Sequence, residues 1–295
     1  MLPSEFVDLA ATIANAYDFK RKTRMTTDPD TVPQSEHFLI AVDPSDVVRA
    51  YAAHRRRFAL SVATLNEHAL RSPSRCSEWS VADILRHGCD VDRWMRTIWN
   101  GDLPFTAFDP RVTPHAEVLH SRSLSDLVVR DRYVASSVEM AADVGSAGPE
   151  RWGLPSLSYV GAMPWWQTVL HVLWDSWLHE RDGLLPRGMP VDEVEEEVTA
   201  VLSYLLALAV HISRRLGRNE PLDAVVCGLR VSAGDGPVRV SPVVELPAGV
   251  PTLSGYAPAV IDVVSGRGNL DDVLSGDDEV LDRLRLFTGY ISAAA

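Results

Sequence analysis

The strongest constraint on this chain is a change of hydrophobic period part-way along it. Up to about residue 217, apolar residues recur every three or four positions in stretches opened by helix caps; beyond Pro221 they alternate. The first pattern suits amphipathic helices packed on one another and the second suits strands. A first helix is predicted from Asp43-Pro44. Asp43 suits the N-cap, Pro44 the first helical position and Asp46 the positive end of the helix dipole, and Val47, Tyr51, Phe58, Val62 and Leu65 follow at helical spacing. A second helix is predicted from Ser80, which forms an S-x-x-D capping pattern with Asp83. Its stripe is Ile84, Val91, Trp94, Met95 and Ile98, and Gly101 is its stop. A third runs from about Leu124 to Ala142, after the stretch Pro104–Pro114. A fourth runs from near Pro164 to Gly183, and a fifth from the acidic run Asp192–Glu197 to Arg214, Arg215 and Gly217. After Pro221, Val225, Leu229 and Val231, then Val238, Val240 and Val243, alternate around a hairpin signal at Gly234-Asp235-Gly236. Helices follow near Ala257–Ser265 and Asp278–Phe287. The expected fold is mainly α with a small α+β domain: an N-terminal extension or linker over 1–40, a helix bundle over 41–218 and a C-terminal α/β domain over 219–295.

The 295 residues are comfortable for two domains, and the formal net charge of −12 argues against nucleic acid and against polybasic membrane attachment. The one basic cluster, Arg55-Arg56-Arg57, reads as a solvated face of the first helix, and Asp192–Glu197 as a solvated first turn. Cys76, Cys89 and Cys227 fit neither a zinc knuckle nor a disulfide framework, so a cytoplasmic, reducing setting is expected. No apolar run reaches the ~18 residues of a membrane span. Phe6–Ala14 is interrupted by Asp8 and lacks a preceding basic region, so it does not read as a secretory signal. Residues 26–36 read as a polar linker, and Met25 is a possible alternative start. Monomer and homodimer are both compatible with the pattern.

The chemistry-bearing residues fall on the fourth helix. On a helical wheel His171, Asp175, His179 and Asp182 share a narrow stripe with Thr168 beside them, opposite Val169, Leu170, Leu173, Trp174 and Trp177. Asp175 and His179 are one turn apart, so both can reach one point, and a carboxylate with an imidazole makes a good donor pair for a cation such as zinc. A third ligand must come from elsewhere. His87 is the best candidate, because it shares the inward stripe of the second helix, where a histidine is either satisfied by a core partner or used as a ligand. The alternative for the fourth helix is a water-facing stripe with His and Asp paired at i,i+4. No G-x-S-x-G elbow, Walker loop or G-x-G-x-x-G is present. Cys76 and Cys89 are weighed as nucleophiles against buried structural cysteines, and Trp165-Trp166 as pocket wall against core packing.

Three stretches carry a resemblance. Ser74–Met95, SRCSEWSVADILRHGCDVDRWM, is similar to a P-C-P-G-W-T-V-x-D-V-L-x-H segment. His171–Gly183, HVLWDSWLHERDG, is similar to L-W-E-x3-H-R-W-D. Val260–Phe287 is similar to the closing segment of a small C-terminal domain. In this order they resemble the mycothiol-dependent maleylpyruvate isomerase family, whose fold is a DinB-like antiparallel four-helix bundle with a C-terminal mixed domain. The resemblance implies a divalent metal such as zinc, held by His87, Asp175 and His179, with mycothiol as thiol cosubstrate. It also implies Trp79 and Arg267 toward the thiol and substrate, Arg267 as a partner for a carboxylate. In the family isomerase a metal-activated thiolate adds to a cis double bond, and rotation and elimination then give the trans product; related members transfer the thiol to an electrophile. The expected function is therefore a metal- and thiol-dependent isomerase or S-transferase acting on a small electrophile. The alternatives are a zinc-dependent hydrolase, with Asp182 or His171 as base, and a non-catalytic small-molecule-binding protein on the same bundle. The sequence departs from the family pattern in three places: Asp175 stands for a glutamate, Ser77-Glu78 for Pro-Gly, and Glu180-Arg181-Asp182 for R-W-D.

Overall fold

A computed structural model describes residues 33–99, 112–158, 160–245 and 248–292. The chain opens with a short strand β1 (Phe38–Ile40) and then helix α1 (Pro44–Ala63), capped as expected: Asp43 Oδ1 accepts from the Ser45 amide at 2.8 Å. After one turn of helix, α2 (Glu67–Leu70), comes α3 (Val81–Trp99). Its capping box forms in both directions, the Asp83 amide donating to Ser80 Oγ and the Ser80 amide to Asp83 Oδ2. Helix α4 (Thr113–Ser121) follows, then α5 (Asp126–Gly145) and the single turn α6 (Pro149–Trp152). A two-stranded hairpin, β2 (Pro155–Ser158) and β3 (Gly161–Pro164), leads into α7 (Trp165–Leu184), and α8 (Glu195–Arg215) completes the helical part. Helices α4 and α6 and this hairpin were not expected from periodicity. Each is too short to show a period. Gly101, most of Pro104–Pro114, Phe6–Ala14, Met25 and the start of the 26–36 linker lie outside the described residues.

Helices α1, α3, α5 and α7 form the antiparallel bundle. A buried ion pair ties all four together. Arg55 on α1 donates to both carboxylate oxygens of Asp92 on α3 at 2.7 and 2.9 Å, to Ser137 on α5 at 2.8 Å and to Ser176 on α7 at 3.4 Å. The expectation of a solvated basic face is therefore corrected. Arg55 is enclosed, Arg57 reaches inward to Glu197 and Glu180, and only Arg56 is exposed. Within the acidic run Asp192, Glu193, Glu195 and Glu196 are exposed as expected, and the correction falls on Glu197, which is buried and paired with Arg57 at 2.7 Å. Neither burial is legible from one segment alone, since each charge is neutralised by a residue distant in sequence.

Beyond α8 the chain forms β4 (Leu222–Val226), β5 (Leu229–Ala233), β6 (Val238–Pro242), β7 (Thr252–Ser254), helix α9 (Ala257–Val264), β8 (Ser275–Gly276) and helix α10 (Asp278–Ser292). The six-stranded sheet has the order β1-β6-β5-β4-β7-β8. Strands β4, β5 and β6 are antiparallel neighbours, as the alternation and the turn at 234–236 predict. Phe38–Ile40, expected within the N-terminal linker, instead pairs in parallel with Val238–Val240 and extends this sheet. Its three residues are too few for alternation to declare them. Helix α8 packs on the bundle on one side and on the sheet, α9 and α10 on the other. By length and composition α8 would suit a membrane span, but most of its apolar surface is enclosed by these layers.

The buried pair predicts an asymmetric mutational response. Arg55→Met should leave Asp92 uncompensated and cost about 3–5 kcal/mol, while Arg55→Met with Asp92→Leu should recover most of it. Urea unfolding of the two variants measures this. A single variant losing under about 1 kcal/mol would refute the clasp.

Candidate metal centre

Helix α7 is apolar on one side and polar on the other, yet it is enclosed on nearly all sides. Along it only His171, Asp175 and His179 are half-open, in one i, i+4, i+8 row. The polar stripe thus lines an internal cleft rather than the bulk surface. Asp182, one turn further on, is fully buried.

Helix α3 supplies the third group. Its Gly88 lies against α5, where a Cβ would come within 2.4 Å of the Tyr133 ring, so only glycine allows this approach beside His87. His87 Nε2 lies 3.5 Å from Asp175 Oδ1, and His179 Nε2 lies 3.4 Å from the same oxygen. The two imidazoles stand edge to face with centroids 5.1 Å apart, and the donor atoms of all three residues lie within 4.8 Å of one another. Ligands at zinc's usual ~2.1 Å in a tetrahedron stand about 3.4 Å apart, so the two short separations suit a shared cation. His87 Nδ1 is buried with no hydrogen-bond partner among the described residues. The donor set and its spacing therefore fit a divalent metal.

The loop before α3 forms the rim. Glu78 holds φ +62°, the left-handed region, at the place where the resembled pattern has glycine. A non-glycine there costs about 1–2 kcal/mol, and the turn is kept nonetheless. It sets Trp79 against both imidazoles, with centroids 5.3 Å from His87 and 5.9 Å from His179, while Trp79 Nε1 donates to His115 Nδ1 at 3.2 Å. On the other side of the turn, Cys76 Sγ donates to Asp182 Oδ2 at 3.1 Å and lies 3.9 Å from His179 Nδ1. Asp182 also accepts from Arg75 Nε at 3.0 Å and from Arg267 at 2.7 and 3.2 Å. Arg267, expected toward substrate or thiol, is thus already paired with a protein carboxylate. Trp165 and Trp166 are core residues rather than pocket wall. Arg75 escaped the sequence reading because no period or spacing marks it. Cys76 and Asp182 were considered, but not as neighbours of each other.

Electrostatics favour an ionised centre. Burial opposes the charge on Asp175, but His179 and His87 outweigh it and hold the carboxyl well below its ordinary range. Burial likewise opposes protonation of His179, yet Asp175 and Asp182 push it well above the ordinary histidine value. Burial pushes His171 down to about 4, with Asp175 opposing, so it is neutral at pH 7; its Nδ1 meets the Tyr204 hydroxyl at 2.8 Å.

Two other clusters carry less. Cys76, His179 Nδ1 and Asp182 could also group around an ion, but Arg75 and Arg267 already neutralise Asp182 and would repel a cation there. Ser176, His54 and Glu180 line up in the order nucleophile, base and orienting carboxylate, with Ser176 Oγ 3.0 Å from His54 Nε2. However, all three are enclosed, and Arg57 lies 3.0 Å from His54 Nδ1, the nitrogen that an orienting carboxylate would have to hold. This arrangement secures the core.

Residues 51–182 match the family model described as the mycothiol maleylpyruvate isomerase N-terminal domain. The resemblance read from the residues holds. A crystal structure of the mycothiol-dependent maleylpyruvate isomerase is 16% identical with a TM-score of 0.52, over 80% of this chain and 92% of that one. A second, of a histidine-to-alanine mutant, has the same identity and coverage and a TM-score of 0.51. At that identity the likeness is one of fold, a DinB-like bundle followed by a smaller mixed domain. No curated protein sequence matches the chain.

The raised His179 sets a pH dependence. Only the neutral imidazole binds a metal, so a metal must displace the proton that the carboxylates hold there. Zinc affinity should rise as pH increases above 6.5 towards the raised value, with proton release on binding. Calorimetry in two buffers of different ionisation enthalpy measures both, and an affinity flat from pH 6.5 to 8.5 would contradict this assignment.

Proposed function

We propose that this protein is a metal- and thiol-dependent enzyme of the mycothiol type, an isomerase or S-transferase acting on a small electrophile. The observation that carries this reading is the convergence of His87, Asp175 and His179 on one point inside a cleft. The match to the mycothiol maleylpyruvate isomerase N-terminal domain, and the name of the solved structures of like fold, supply the thiol. A divalent cation such as zinc would lower the pKa of a bound thiol and provide thiolate at neutral pH.

The chain's own residues account for the rest. His87, Asp175 and His179 would hold the cation. Trp79 walls the cleft over both imidazoles and keeps water from one side of them. Neutral His171, one turn below Asp175, continues the same row without adding charge. Arg267 is engaged by Asp182 and by the Ser265 carbonyl at 2.6 Å, so it braces the rim of the site. A small conjugated electrophile with a cis double bond suits a thiolate nucleophile held in such a cleft.

Purified protein stripped with chelator and resupplied with zinc is expected to bind about one equivalent. It should then consume such an electrophile only when a low-molecular-weight thiol is present. His87→Ala and His179→Ala should each lower kcat/KM by more than about 100-fold. Absence of bound zinc at any supply, or full activity without thiol, would overturn the proposal.

A further inference from the structure

Asp182 lies outside the three-residue donor set, yet five contacts meet on it. Its carboxylate lies 3.3 Å from His179 Nδ1 and accepts from Cys76 Sγ at 3.1 Å, from Arg75 Nε at 3.0 Å and from Arg267 through Nη2 at 2.7 Å and Nε at 3.2 Å. It is wholly enclosed. His179 presents Nε2 to Asp175 and Nδ1 to Asp182, so opposite edges of one ring are committed to opposite tasks. A buried carboxylate on Nδ1 fixes the proton there and leaves Nε2 bare for a cation; it also stops the ring from flipping. His87 has no such support, since its Nδ1 has no hydrogen-bond partner among the described residues. Orientation of the donor set therefore falls to one side of the site.

We propose that Asp182 is the positioning residue of the metal centre: it fixes His179 as an Nδ1-protonated, Nε2-donating ligand, and is itself fixed by Arg75 from the loop before α3 and by Arg267 from the C-terminal domain. This inference rests on the metal reading above and goes beyond it in naming the group that sets affinity. The competing role for Asp182 is purely architectural, as a tie between bundle and C-terminal domain. A neighbouring carboxylate separates the two. Asp262 on α9 takes Arg75 at 2.7 Å and Arg181 at 3.2 Å across the same boundary, and no contact joins it to His179.

The test is zinc affinity of the full chain, by competition with a chromophoric chelator, for the unaltered protein, Asp182→Asn and Asp262→Asn. Asp182→Asn is expected to bind zinc about 10- to 100-fold more weakly and to shift the visible bands of the cobalt-substituted protein. Asp262→Asn should stay within about threefold. Equal affinity for Asp182→Asn and the unaltered protein, or an equal loss in both variants, would overturn the proposal. If Asp182→Asn does not fold, long-range proton–nitrogen spectra of the unaltered zinc-loaded protein decide the same point. They should show His179 protonated at Nδ1 with zinc on Nε2, and zinc on Nδ1 would refute the assignment. An unaltered protein that takes up no zinc at all is a different outcome, which removes the metal reading itself.

Discussion

One constraint organises this molecule: helix α7 is surrounded on nearly every side. Its apolar half, with Trp166, Val169, Leu173 and Trp177, joins the main core, and its polar half has almost no access to bulk water. Buried polar groups must be answered from within. Ser176 and Glu180 therefore draw His54, Arg55 and Arg57 inward from α1, and Asp182 draws Arg75 and Arg267. What remains half-open is the single row of His171, Asp175 and His179, and the centre forms there. The site is the part of the helix that the rest of the fold leaves half-open.

The same constraint joins the two halves of the chain. Arg75 and Arg181 from the helical part reach Asp262, and Arg267 from the C-terminal part reaches back to Asp182. Opposite charges are thus exchanged in both directions across one boundary, beside the cleft. Because Asp182 also holds His179, the geometry of the donor set depends on residues from both halves. Strand β1, emerging before the bundle and pairing with β6, adds a second link at a distance from the cleft.

The regular helices were legible because their caps and periods are local. Asp43, Ser80 with Asp83, and the alternation of β4 to β6 all act over a few residues. Apart from elements too short to show a period, the failures share one cause: partners distant in sequence. Arg55 and Glu197 look solvated in their own segments and are buried by Asp92 and Arg57. Phe38–Ile40 becomes a strand only because β6 offers it an edge. At the site, the i,i+4 spacing of Asp175 and His179 and the inward position of His87 were readable as a candidate donor set. The ring of Arg75, Cys76, Asp182 and Arg267 was not, because it spans 191 positions of sequence from Cys76 to Arg267.

Asp175 stands where the resembled pattern has a glutamate, one methylene longer. A shorter carboxylate draws the common point toward the helix that bears it, so the opposing ligand must come closer as well. Gly88 lets helix α3 settle against Tyr133 of α5, and His87 beside it stands with its ring centroid 5.1 Å from that of His179. Asp175 then meets both imidazoles with a single oxygen, at 3.4 and 3.5 Å. The shorter carboxylate thus still lies close to both imidazoles, and that closeness is a property of packing and not of any motif.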